Sequence, residues 1–193
     1  MQLDASSTLT DVAFSVCTAL ERADERAILC GGSAATFYAP EAYESRDLDF
    51  ILRFGARAKT VDEALRPLGY LRAPERLYRH PDVLYTVEFP TGPPSIGSET
   101  VTAYATEHSR RLAPARLHAD RRGSRSLHAL LGMGDQRTLR VALDVAAAQS
   151  AKIDVPSIEA WTERELREAP VYDRGRRDYF LSELKRALNR CSG

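Results

Sequence analysis

The sequence predicts an α+β fold, with an α/β half over roughly residues 1–112 and a helical half over roughly 113–193. Two observations predict it. In the first half, short runs of β-forming residues are punctuated by Gly and Pro turns and interleaved with helical stretches. From about Pro114 the apolar residues recur at helical spacing instead. Hydrophobic residues make up 44% of the 193, so a packed core is expected and disorder is not.

Leu9 to Ala23 reads as an amphipathic helix, with Val12, Val16, Ala19 and Leu20 on one stripe after a Ser/Thr-rich start. Ala27 to Cys30 reads as a buried strand ending at the Gly31-Gly32 turn. Ser33 is placed to cap a short helix through Tyr38, which Pro40 ends. Asp47 to Arg53 alternates as a strand, with Leu48, Phe50 and Leu52 on one face and Asp47, Asp49 and Ile51 on the other. Val61 to Leu68 is helical in pattern, and Gly69 follows it. Leu84 to Phe89 is rich in β-formers and runs into a Pro/Gly loop over residues 90–97, with a further strand expected around Thr100 to Ala105.

In the second half, Asp135 is placed to cap a helix carrying Leu139, Ala142, Leu143 and Ala146 on one stripe. Ser157 is placed to cap the next, with Ile158, Trp161 and Leu166 inward, and the last helix carries Phe180, Leu184 and Leu188.

Charge and cysteine content exclude several function classes. The formal net charge is zero, which argues against coating nucleic acid by bulk electrostatics. Lysine is confined to Lys59, Lys152 and Lys185, so nearly all positive charge is arginine, a residue suited to gripping phosphate. Cys17, Cys30 and Cys191 form no disulfide or zinc pattern, which fits a reducing cytoplasm. No signal-peptide pattern and no apolar run of membrane-spanning length occurs, so a cytoplasmic protein without a membrane partner is expected.

Three features in order carry the chemistry. The Gly31-Gly32 turn lets backbone approach a bulky anion, the helix after it offers free N–H groups, and Ser33 adds a hydroxyl donor. A Gly-Gly turn alone is a common structural device. Asp47 and Asp49, two apart on an apolar strand, point the same way and suit Mg²⁺ or Mn²⁺. The alternative is a solvated acidic face, but unpaired aspartates on a buried strand are costly. Glu88, in Tyr85-Thr86-Val87-Glu88-Phe89, completes a three-carboxylate site if its strand neighbours the Asp47 strand; otherwise it faces water from an edge.

The run Cys30-Gly31-Gly32-Ser33-Ala34-Ala35, followed by Ser45-Arg46-Asp47-Leu48-Asp49-Phe50, resembles the signature of the DNA polymerase beta superfamily of nucleotidyltransferases. Val87-Glu88-Phe89-Pro90-Thr91-Gly92-Pro93 and Ile96-Gly97 are similar to a motif of a bacterial branch related to the nucleotidyltransferases of abortive-infection and toxin–antitoxin systems. A later stretch with Asp120-Arg121, Gly134-Asp135, Leu139, Ala142-Leu143, Ile153-Asp154, Ile158 and Trp161 extends the resemblance to roughly residues 25–165. Met133, where that branch often has an aromatic, and Arg122, where it has leucine, depart from the pattern.

The resemblance implies a small mixed sheet flanked by helices, the nucleotidyltransferase fold, with a C-terminal helical half. It implies Mg²⁺ (or Mn²⁺) and catalysis at Asp47, Asp49 and Glu88, and an NTP on Gly31, Gly32 and Ser33; Arg46 and Arg53 are candidates for phosphate contact. It further implies transfer of a nucleoside monophosphate from an NTP to a hydroxyl on RNA, protein or a small molecule, with an antitoxin or other partner protein beside it.

The rival readings are a catalytically inactive module of the same fold that binds a nucleotide or a partner protein, and an ordinary α/β binding domain. Arg110, Arg111, Arg116, Arg121, Arg122 and Arg125 are either a basic patch for RNA or a solvated face. The four histidines lack the spacing of a zinc site.

Overall fold

The computed structural model describes residues 2–52, 58–75, 77–93, 95–96, 99–100, 105–109, 112, 115–117, 136–168 and 173–190. Arg53, Asp135 and, apart from Arg116, the arginines of the 110–125 cluster lie outside them. The described residues form an α+β protein that divides into two compact units. Residues 1–37, 44–94 and 102–119 make the first, and residues 38–43, 95–101 and 120–193 the second.

The first unit opens with α1 (Leu9–Arg22). Thr8 caps it: its Oγ1 accepts from Asp11 N at 3.2 Å, and the Asp11 carboxylate accepts from Thr8 N at 2.9 Å. This reciprocal box satisfies two otherwise orphaned amides. Val12, Val16 and Leu20, four residues apart, are fully buried along one stripe. The chain then forms β1 (Ala27–Cys30), α2 (Gly31–Tyr38), β2 (Asp47–Leu52) and α3 (Ala58–Leu65). A 3₁₀ turn (Arg66–Leu68) closes α3, and Gly69 caps it at φ 90°, a left-handed conformation natural to glycine.

Short strands follow: β3 (Leu71–Arg72), β4 (Tyr78–Arg79), β5 (Thr86–Glu88), β6 (Ser95–Ile96), β7 (Glu99–Thr100), β8 (Ala105–Glu107) and β9 (Ala115–Leu117). Seven strands make one mixed sheet in the order β3-β4-β5-β2-β1-β9-β8. The β1–β2 pair is antiparallel, whereas β2–β5 and β1–β9 are parallel. The sheet therefore continues to Leu117, into a stretch whose sequence reads as helical. A three-residue strand is too short to show a period of two, so nothing local marks it.

Register assigns the two faces of the central strands. Leu29 pairs with Phe50, and Leu48 with Val87; all four are fully buried and share one face. On the other face stand Asp47, Asp49 and Ile51 of β2, with Thr86 and Glu88 of β5.

The second unit contains the β6–β7 ribbon and three helices: α4 (Gln136–Ala148), α5 (Val155–Glu168) and α6 (Arg174–Arg190). Leu139, Ala142 and Ala146 of α4 pack with Ile158 and Trp161 of α5 and with Phe180, Leu181 and Leu184 of α6. Two sequence expectations change here. Asp154, not Ser157, caps α5: its carboxylate accepts from Ser157 N at 3.1 Å and from Ser157 Oγ at 2.6 Å. Those bonds hold the Asp154 carboxyl below its ordinary pKa. Leu166 is only half-buried, and Glu165 is the fully buried residue beside it. Ile158, Trp161 and Glu165 keep an i, i+3, i+7 line, and residue 166 falls at its rim.

Among the described residues, no helix is long and apolar enough to cross a membrane.

Candidate active site on the carboxylate face of the sheet

β1 ends where the chain must turn into α2, and Gly31 makes that turn at φ 68°. A side chain there would be strained by its backbone and blocked as well: a Cβ on Gly31 would overlap the Asp49 carboxylate, standing 3.2 Å from its Cγ. The start of α2 and the Asp49 side chain thus meet directly, and only glycine permits it.

Asp49 is held through its main chain. It pairs with Cys30 across β1–β2 and with Glu88 across β2–β5. Its amide donates to Ser33 Oγ at 3.2 Å, and its carbonyl accepts from Cys30 Sγ at 3.4 Å. Glu88 stands in register on the parallel neighbour, so its Cα lies about 4.8 Å from that of Asp49 and its side chain shares the face. Asp49 and Glu88 are both half-buried.

Asp47 lies two residues earlier on the same face, about 7 Å from Asp49 at Cα, and is exposed. Its carboxylate accepts a short hydrogen bond from Thr86 Oγ1, the hydroxyl of its register partner on β5. Ser45 brackets its backbone, with Ser45 Oγ donating to Asp47 O at 3.0 Å. Arg46 is exposed, and its carbonyl accepts from Thr86 N at 3.1 Å.

Ser33 differs from its expected place. It is the third residue of α2, not its cap, and is fully buried. Its hydroxyl donates to Cys30 O at 2.7 Å and accepts from Asp49 N. The proton that would reach an anion is already committed.

Asp47, Asp49 and Glu88 therefore share one sheet face, with Gly31 against the middle carboxylate. All three are hard oxygen donors of the kind Mg²⁺ and Mn²⁺ take. Among the described residues, no three His, Cys, Asp or Glu side chains gather closely enough to hold a metal by themselves. That is compatible with Mg²⁺ carried on a nucleotide, which takes one or two protein carboxylates beside phosphates and water.

Two participants carry little sequence signal. Thr86 could have been found by alternation, because Thr86-Val87-Glu88 places the threonine on the glutamate's face. Thr36, whose hydroxyl accepts from Ser45 N at 2.8 Å, has no signal at all, since its partner lies nine residues on through a loop. In comparisons with protein-family models, curated proteins and solved structures, nothing matches this chain.

Proposed function

We propose that the chain is a metal-dependent nucleotidyltransferase of the polymerase-beta type. It moves a nucleoside monophosphate from an NTP to a hydroxyl on RNA, a protein or a small molecule. The reading is supported above all by one observation: Asp49 and Glu88 are register partners on parallel strands, and Gly31 abuts Asp49. That juxtaposition unites the glycine turn with the acid pair, two motifs that are each weak alone.

In this reading Asp47, Asp49 and Glu88 would hold Mg²⁺ or Mn²⁺, which when bound would neutralise charge on the triphosphate and acidify the attacking hydroxyl. The backbone N–H groups of Gly31 and Gly32, at the start of α2, would receive the phosphates. The Asp47 carboxylate, which accepts from the Thr86 hydroxyl, would have to release that bond to bind the ion. The acceptor oxygen bonds to the α-phosphorus, the bond to pyrophosphate breaks in line, and the proton leaves through a carboxylate of the trio. A defence or toxin role, with an antitoxin as partner, follows from the sequence resemblance and belongs to the same proposal.

One observation favours a second reading, a non-catalytic nucleotide- or partner-binding module. Asp47 is engaged by Thr86, and the three acids do not close into a ready metal cage among the described residues.

The test is incubation of the protein with each labelled NTP, Mg²⁺ or Mn²⁺, and total RNA, beside an Asp47→Ala/Asp49→Ala control. Label transferred by the wild type and not by the control is expected. Nucleotide binding without transfer to RNA, protein or small hydroxyl acceptors would favour the second reading.

A further inference from the structure

Ser33 and Thr36 sit one turn apart near the start of α2, and both are buried. Each makes the local back-bond common to hydroxyls in helices: Ser33 Oγ donates to Cys30 O at 2.7 Å, and Thr36 Oγ1 to Gly32 O at 3.0 Å. What is not local is the second bond on each oxygen. Ser33 Oγ accepts from Asp49 N at 3.2 Å, sixteen residues on, and Thr36 Oγ1 accepts from Ser45 N at 2.8 Å. Ser45 in turn donates from its own hydroxyl to Asp47 O at 3.0 Å.

We infer that Ser33 and Thr36 are positioning residues, two hydroxyl struts that fix the Asp49 and Asp47 backbones relative to the Gly31-Gly32 turn, and that Ser33 is not a phosphate ligand. The physical need is specific. The left-handed turn at Gly31 takes the chain out of β1 immediately after Cys30, the ladder partner of Asp49. Ser33 Oγ braces that last ladder position, donating to Cys30 O and accepting from Asp49 N. Full burial and a donated proton leave that oxygen no capacity to reach an incoming anion. The second strut runs from the Gly32 carbonyl through Thr36 and Ser45 to the Asp47 carbonyl. Carboxylates tied in this way to the turn that approaches them share its geometry, and misplacements on the order of 1 Å cost about a hundredfold in rate.

This inference rests on the nucleotidyltransferase reading for its kinetic consequence, but its structural half is measurable without activity. The variants are Ser33→Ala, Thr36→Val, which keeps shape and deletes the hydroxyl, and Thr36→Ser, which keeps the hydroxyl. The readouts are kcat, NTP affinity by calorimetry, and amide hydrogen exchange at Asp49 and Ser45. Ser33→Ala and Thr36→Val are expected to lower kcat by about tenfold or more, with NTP affinity within about twofold of wild type and exchange accelerated at Asp49 and Ser45 respectively. Thr36→Ser should restore both properties. An affinity loss in Ser33→Ala that matches its loss in kcat/KM would make Ser33 a phosphate ligand and overturn the inference. So would a Thr36→Ser variant as impaired as Thr36→Val. If the wild type transfers nothing, the catalytic reading fails on its own. The struts are then decided by exchange alone, where unchanged protection at Asp49 and Ser45 refutes them and selective loss supports them.

Discussion

The two units place their buried polar groups differently. In the helical unit the core is an apolar cluster built around Trp161, Ile158, Phe180 and Leu184; Thr162 and Glu165 are buried on the same helix as Trp161, and the other polar links are peripheral. Asp154 caps α5, Glu163 holds Arg174 at 3.1 Å, and Glu159 holds Lys185 at 2.6 Å. In the α/β unit, two buried hydroxyls join the backbones of separate elements: Ser33 holds the Asp49 amide and Thr36 the Ser45 amide. The difference teaches what each is built for. Apolar helix packing is the less expensive route to stability, because it leaves no polar atom to satisfy. Hydroxyl struts add little net stability and much positional definition, which a site needs and a scaffold does not.

The comparison can be broken by substitutions that separate stability from chemistry. Trp161→Ala removes the largest fully buried side chain and should destabilise the helical unit by about 3–5 kcal/mol. Denaturant titration would show it; a change under about 1 kcal/mol would mean that cluster is not a core. Asp49→Ala should do the reverse, lowering transfer by at least about a hundredfold, beyond what outer-shell partners carry, while leaving the melting temperature nearly unchanged. A variant retaining half its activity would remove Asp49 from the chemistry. Gly31→Ala should do both, since its φ of 68° costs an L-residue about 1–2 kcal/mol and its methyl displaces the Asp49 carboxylate. Folding intact with full nucleotide affinity would contradict the direct contact.

Smaller effects sharpen the contrast within the α/β unit. Thr8→Ala opens the capping box of α1 and should cost about 0.5–2 kcal/mol with no effect on nucleotide binding. Tyr70 is buried and donates to Tyr85 O at 2.9 Å, and burial pushes its phenol well above the ordinary value of 10. Its folded pKa is raised, so its contribution is fully present below about pH 10 and is lost as pH rises from there toward the folded value. Thermal melts of the wild type should therefore be level up to about pH 10 and decline above it, and Tyr70→Phe should decline less steeply. Equal slopes would assign the alkaline loss elsewhere.

How much of this was legible in the sequence follows the same division. The stripes of α1, α4 and α6 are visible because helical periodicity is local, and Val12, Val16, Leu20 or Phe180 and Leu184 announce their own faces. The alternation in Asp47-Leu48-Asp49-Phe50 likewise separates an acidic face from a buried one. Which strand lies beside β2 is not local. Its parallel partner begins more than thirty residues later, and nothing in Thr86-Val87-Glu88 states where it will pair. Ser33 misleads for a physical reason: a serine after a glycine turn looks the same as a cap or a phosphate donor until its second partner, Asp49 N, is known. Ser157 misleads similarly, because the Asp154 that caps α5 accepts from it.

The most direct test of the central claim is calorimetric titration of the protein with each NTP, in Mg²⁺ and in EDTA, for the wild type, Asp49→Ala and Glu88→Gln. The expected result is binding of at least one NTP that tightens with Mg²⁺ in the wild type and loses that dependence in both variants. Nucleotide affinity that is the same with and without Mg²⁺, or unchanged by either substitution, would contradict a metal-dependent site on this face of the sheet.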